Sequence, residues 1–126
     1  MKIVRLEIHP LVVGLEKPFV ISLGPFDTAR NIGVKAITDS GLTGFGECSP
    51  FMTINGESME SAMHMGRYLG KALLGKDPRN PEDWTQTMDG VMHGNTSIKS
   101  AFDIALHDLA AQDAGLPLYA WLGGQN

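Results

Sequence analysis

The side chains in this sequence best suited to chemistry are four histidines, a single cysteine and a few acids set among apolar residues. His9, His64, His93 and His107 share no metal-ligand spacing, and no H-E-x-x-H, C-x-x-C or G-x-S-x-G pattern occurs. Gly70 to Gly75 lacks the G-K-[ST] ending of a phosphate loop. Asp103 and His107 stand four apart, the spacing of a local pair on a helix surface. Asp108 shares a face with Ala101 and Ala105, so a part-buried carboxylate there needs hydrogen-bond partners. Cys48 has no histidine or cation nearby to lower its pKa and reads as a small packing residue. Glu47 closes a strand where a cleft could begin, and by itself reads as a solvated strand-end acid. These residues make no reaction centre.

The elements that must position them change character along the chain. Ile3, Arg5, Glu7 and His9 alternate with Val4, Leu6 and Ile8, the period of a half-buried strand. Leu11 to Val13 follow as a short apolar run that Gly14 stops. A second strand is expected over Asn31 to Thr38, with Ile32, Val34 and Ala36 on one face and Lys35 on the other. Asp39-Ser40-Gly41 signals a turn, and Leu42 to Glu47 returns as the third strand. The glycines of Gly44-Phe45-Gly46 suggest a bulge or a close backbone approach. Two loops complete this half, Leu15 to Arg30 and Ser49 to Gly56. Both carry apolar residues that need a surface to cover them, in their own domain or in a partner.

From Glu57 the period becomes helical. Met59, Ala62, Met63, Gly66, Leu69 and Leu73 recur every three or four residues, with Gly75 and Pro78 as the stop. Asn80-Pro81-Glu82-Asp83 opens a second helix: a cap, proline at the first position, then acids at the positive end of the dipole. A third helix runs from near Asn95 to Ala114, burying Ile98, Ala101, Phe102, Ala105, Leu106 and Leu109. Gly115 ends it, and Pro117 to Leu122 form one more turn. The expected fold is α+β, a three-stranded antiparallel meander followed by a three-helix segment.

Composition bounds the class. With 126 residues, 43% apolar and 19% charged, the chain suits one globular domain. A net charge of −4 with interspersed signs argues against nucleic acid. No apolar run reaches a membrane span, and the N-terminus alternates like a strand instead of forming a signal peptide. One cysteine excludes an internal disulfide and suits a reducing compartment, so a cytoplasmic location is expected.

Three stretches together resemble a known family. They are Thr28-Ala29-Arg30-Asn31-Ile32-Gly33-Val34-Lys35-Ala36-Ile37-Thr38-Asp39-Ser40-Gly41 leading to Gly44-Phe45-Gly46-Glu47-Cys48; Thr53-Ile54-Asn55-Gly56-Glu57-Ser58; and Ala101-Phe102-Asp103-Ile104-Ala105-Leu106-His107-Asp108-Leu109-Ala110-Ala111 followed by Gly115-Leu116-Pro117-Leu118-Tyr119 and Leu122-Gly123-Gly124. Over essentially the whole chain they resemble the N-terminal domain of the mandelate-racemase and muconate-cycloisomerase branch of the enolase superfamily. The T-x-x-G-E-S loop and Lys17-Pro18-Phe19 are most similar to dipeptide epimerases.

The resemblance implies a capping domain, residues 1–126, for a C-terminal (β/α) barrel that is its partner and is absent from this sequence. In such isomerases the barrel holds Mg²⁺ and lysine bases, including a K-x-K motif, and removes a proton α to a carboxylate. This chain has no K-x-K and ends just past Leu122-Gly123-Gly124, so it is expected to hold no catalytic residue and no metal, and to be inactive alone. The resemblance makes the two loops a lid over a small carboxylate substrate such as a dipeptide. Its contacts would be Phe19, Ile21, Leu23, Gly24 and Phe26 from the first loop, and Phe51, Met52, Thr53 and Ile54 from the second. Epimerases of Ala-Glu dipeptides place a basic residue in the first loop; the matching position here is Gly24. A substrate with a neutral or apolar distal group is therefore expected. Muconate cycloisomerases and o-succinylbenzoate synthases share this frame and remain alternatives. A stand-alone binding module that covers its loops by homo-oligomerising is the alternative of another class.

Overall fold

A computed structural model describes residues 1–21 and 24–125, with side chains described for 1–17 and 28–125. Three strands come first: β1 (Ile3–Ile21), β2 (Gly24–Thr38) and β3 (Thr43–Cys48). They form one antiparallel sheet in the order β1-β2-β3. Helices follow: α1 (Met52–Asn55), α2 (Met59–Leu73), α3 (Pro81–Val91), α4 (Thr96–Asp113) and α5 (Leu118–Trp121). The expected α+β meander with three principal helices is what forms, with α1 and α5 as single turns. No described helix is long and apolar enough to cross a membrane.

The core lies between one sheet face and the helices. Ile32, Val34 and Ala36 of the central strand are buried against Ile98, Ala101, Phe102, Ala105 and Leu106 of α4. Leu69 and Leu73 of α2 and Trp84 of α3 close it from the other side. Each large apolar side chain fully removed from water contributes about 1.5–3 kcal/mol, so this layer dominates stability. The Trp84 indole N–H is satisfied by the Pro78 carbonyl at 3.2 Å.

The paired glycines of β3 are explained by packing. A methyl group at Gly46 would collide with the Ala101 carbonyl oxygen, and one at Gly44 with that of Ala105. These glycines let the α4 backbone lie directly on β3, the close approach expected from sequence. The bulge sits elsewhere, in β1. Ile3 pairs with Thr38 and Arg5 with Ile37, leaving Val4 as the extra residue. That shift lets both Ile3 and Leu6 face the helices while Val4 stays 54% exposed.

One expectation needs correction. Residues 15–21 and 24–30 are not a loop between short strands; β1 and β2 continue past the sheet as a two-stranded ribbon. Pairing runs from Leu11↔Asn31 to Gly14↔Thr28 and resumes at Phe19↔Phe26, ending at Ile21↔Gly24. The shift between Gly14 and Phe19 takes up three additional residues of β1. Pro18, Pro25 and Gly14 read as loop signals because they break central strands. In a two-stranded ribbon each strand is an edge, where proline and glycine are tolerated.

Candidate functional site

Both candidate lid segments rise from the same end of the sheet. Cys48, the last residue of β3, pairs with Ile32, so the chain leaves β3 beside the foot of the ribbon. The ribbon itself, residues 24–31 with their partners, reaches roughly 25 Å beyond that pair at the usual strand rise. Val12 and Val13 are neighbours that point to opposite faces, yet both are more than half exposed.

Of the predicted lid residues, Phe19 pairs with Phe26 and Ile21 with Gly24, which opens β2 at the far end of the ribbon. The side chains of Phe19, Ile21 and Phe26 lie outside the described residues, as does Leu23 altogether. In the second segment Phe51 is half-buried, whereas Met52 and Ile54 are 67% and 70% exposed. Thr53 is exposed between them. These residues form α1, a single turn closed by Gly56 in the left-handed region at φ 73°.

Polar contacts hold this turn. The Asn55 Oδ1 accepts the amides of Phe51 and Glu57, both at 3.1 Å. Glu57 then turns inward, only 4% exposed, and accepts the Ser97 amide at 2.9 Å and the Ile98 amide at 3.2 Å. Those are the second and third amides of α4, the donors a helix cap normally satisfies. Asn95, the residue preceding α4, makes no side-chain cap and points its amide to the His93 carbonyl. A carboxylate from 40 residues upstream takes its place. Immediately after it, Ser58 and Ser61 form a reciprocal capping box that starts α2. In the sequence Glu57 marks only the T-x-x-G-E-S motif and the start of the helical period; a helix lacking its own cap is the signal that points to its role.

At the foot of the ribbon Arg30 pairs with Glu60 of α2 at 3.0 Å. Glu60 titrates below its usual range, held down by its own backbone amide and then by Arg30. Arg30, the basic residue nearest Gly24, is thus engaged by an acid of the same chain.

The remaining candidates fall into structural roles. Asp108 accepts the Phe45 amide at 2.9 Å, the partner its position required. His107 lies 3.8 Å from Asp103 and accepts the Trp121 indole N–H on Nδ1 at 3.3 Å, which ties α5 to α4. Cys48 is buried, and that burial pushes its thiol pKa up. Glu47 and His9 line an open groove of about 650 Å³ with Leu11, Phe45 and Ile104. Within the described residues no group of three or more His, Cys, Asp or Glu is placed to hold a metal ion. The described residues thus do not fit a Mg²⁺ site.

Residues 4–123 match the family model of the mandelate racemase / muconate lactonizing enzyme N-terminal domain. The chain belongs to that family. It is 52% identical over 125 residues to a D-Ala-D/L-Ala epimerase of Cytophaga hutchinsonii, covering 99% of this chain and 34% of the relative. It is 42% identical over 127 residues to an L-Ala-D/L-Glu epimerase of Bacillus subtilis, covering 98% and 34%. A crystal structure of dipeptide epimerase from C. hutchinsonii, complexed with Mg and the dipeptide D-Ala-L-Val, superimposes with a TM-score of 0.96 at 52% identity, over 100% of this chain and 34% of that one. The chain thus spans about a third of the length of these relatives. As a mandelate racemase / muconate lactonizing enzyme N-terminal domain it has relatives that are dipeptide epimerases, and a relative's structure contains magnesium.

Proposed function

We propose that this chain caps the substrate pocket of a Mg²⁺-dependent dipeptide epimerase whose substrates carry a neutral or apolar distal residue. The observation that carries the proposal is the second segment, where Met52 and Ile54 stand exposed on a turn held by polar contacts, beside the foot of the ribbon. Apolar side chains held outward on an anchored turn suit a surface that closes over an apolar group and excludes water. Gly24 supplies no charge at the ribbon tip, and Arg30 is engaged by Glu60. Likeness to an Ala-Ala epimerase and to an enzyme holding D-Ala-L-Val points the same way.

The residues of this chain would act by contact and enclosure. No proton transfer and no metal-dependent step is assigned to them, so residues 1–126 alone are expected to exchange no α-proton of any dipeptide into deuterated solvent. The test joins this chain to its parent barrel and compares kcat/KM across L-Ala-L-X dipeptides. Apolar X should exceed Glu by at least about tenfold, the discrimination expected of a pocket without a partner for the carboxylate. A preference for Ala-Glu would overturn the substrate assignment; inactivity on every dipeptide would overturn the epimerase reading.

A further inference from the structure

We infer that Glu57 is a positioning residue that sets the lid's substrate selectivity through the second segment, an inference resting on the proposed capping role. The argument begins with what holds α1 in place. None of its residues is buried, and Met52, Thr53 and Ile54 all face solvent. Pro50, which is buried, and Phe51, which is half-buried, seat the entry to the turn. Its exit, where no residue of the turn is buried, is held by two polar side chains.

Asn55 closes the turn on itself by accepting the amides at both ends of the segment. That makes the turn a small closed unit. Glu57 attaches its exit side to the domain. Both carboxylate oxygens are used, one on Ser97 and one on Ile98, so the side chain has a single geometry. Buried, charge-assisted bonds at the positive end of an 18-residue helix are among the stronger polar contacts available. The helix is itself packed directly on β3 at Gly44 and Gly46, where no side chain intervenes. A line of contacts thus runs from the sheet through α4 and Glu57 to the exit side of the turn. With the entry seated by Pro50 and Phe51, the length of the Glu57 side chain sets the tilt of the turn and with it the placing of Ile54 and Met52.

Two substitutions separate position from cap strength. Glu57→Gln keeps the length but loses the charge and one acceptor facing an amide. It should lower the melting temperature while leaving the selectivity among distal residues within about twofold. Glu57→Asp keeps the charge but is one methylene shorter, so the turn must move toward α4 or let go. In the barrel-bearing enzyme this variant should raise KM for the preferred apolar dipeptide and change the ratio of kcat/KM for Leu against Ala at the distal position by about tenfold, with kcat on Ala-Ala nearly unchanged. A ratio of this kind does not respond to loss of folded enzyme, so destabilisation alone cannot mimic it. In the chain itself, amide exchange at 52–56 should accelerate in Glu57→Asp more than at the distant turn 39–41.

A wild-type ratio and KM in Glu57→Asp would overturn the inference, as would unchanged exchange at 52–56. Inactivity of the wild-type enzyme on all dipeptides would instead sink the epimerase reading and the selectivity role with it. The exchange result would still decide whether Glu57 anchors the turn.

Discussion

The backbone amide of Phe45 donates to Oδ2 of Asp108 at 2.9 Å, fastening the outer edge of β3 to α4. One turn further along the helix, the Gln112 side-chain amide donates to the Thr43 carbonyl at 2.7 Å. Two side chains on one helix thus occupy the donor and acceptor that a fourth strand would otherwise use. Asp108→Ala should cost about 1.5 kcal/mol, the lower end for a hydrogen bond to a charged group because this one is open to solvent. Urea denaturation measures it. Light scattering on the Asp108→Ala/Gln112→Ala double variant should show association through the bared edge; a monomer at high concentration would refute that role.

The glycines of β3 make a second, sharper expectation. Gly46→Ala and Gly44→Ala drive a methyl group into the α4 backbone, which cannot rotate aside as a side chain does. Each should destabilise by about 3 kcal/mol, at the upper end of overpacking effects, or prevent folding. Gly90, in α3 with open space around it, is the control. Gly90→Ala should stabilise by about 0.5 kcal/mol from helix propensity. Equal effects at Gly46 and Gly90 in chemical denaturation would contradict the packing account.

Acid stability should depend on Asp77. Hydrogen bonds from the Arg79 side chain bring its pKa down from 3.8 to about 2. A carboxyl with a lowered folded-state pKa adds stability above its unfolded value, and that stability is lost as pH falls through the folded value. The contribution should therefore be complete above about pH 4 and fade toward pH 2. The pair is substantially exposed, so it is weak and screened by salt. Urea midpoints for Asp77→Asn should lie below wild type at pH 6 and meet it near pH 2. A gap that persists at pH 2 would point to another cause.

Cys48 offers a probe of opening at the lid end of the sheet. It is 6% exposed, and burial raises its pKa, so little thiolate is present or reachable. Iodoacetamide at pH 8 should modify the native protein at least about tenfold more slowly than the urea-unfolded chain. Comparable rates would show that the end of β3 opens freely.

Much of this was legible in the residues. The Asn80-Pro81 start of α3 forms as read, with Asn80 accepting the Asp83 amide. Alternation in Ile32, Val34 and Ala36 identified the buried face of β2, and helical spacing identified that of α4. These are local signals, since the side chains and backbone that decide them lie within a few residues. The ribbon was not legible, because its strands take their hydrogen bonds from each other across a reach where Gly14, Pro18 and Pro25 break the strand pattern.

The candidate site divides in the same way. Sequence alone determined which segments carry unexplained apolar residues, that Gly24 stands where the resemblance places a basic residue, and that no metal or nucleophile motif is present. Tertiary structure decided that Cys48 pairs with Ile32 and brings the segments to one end, and that Glu57 caps a helix 40 residues away. The reason is physical. A helix lacking its own cap announces an unmet need for an acceptor, but which of fourteen acids meets it depends on how the chain folds back.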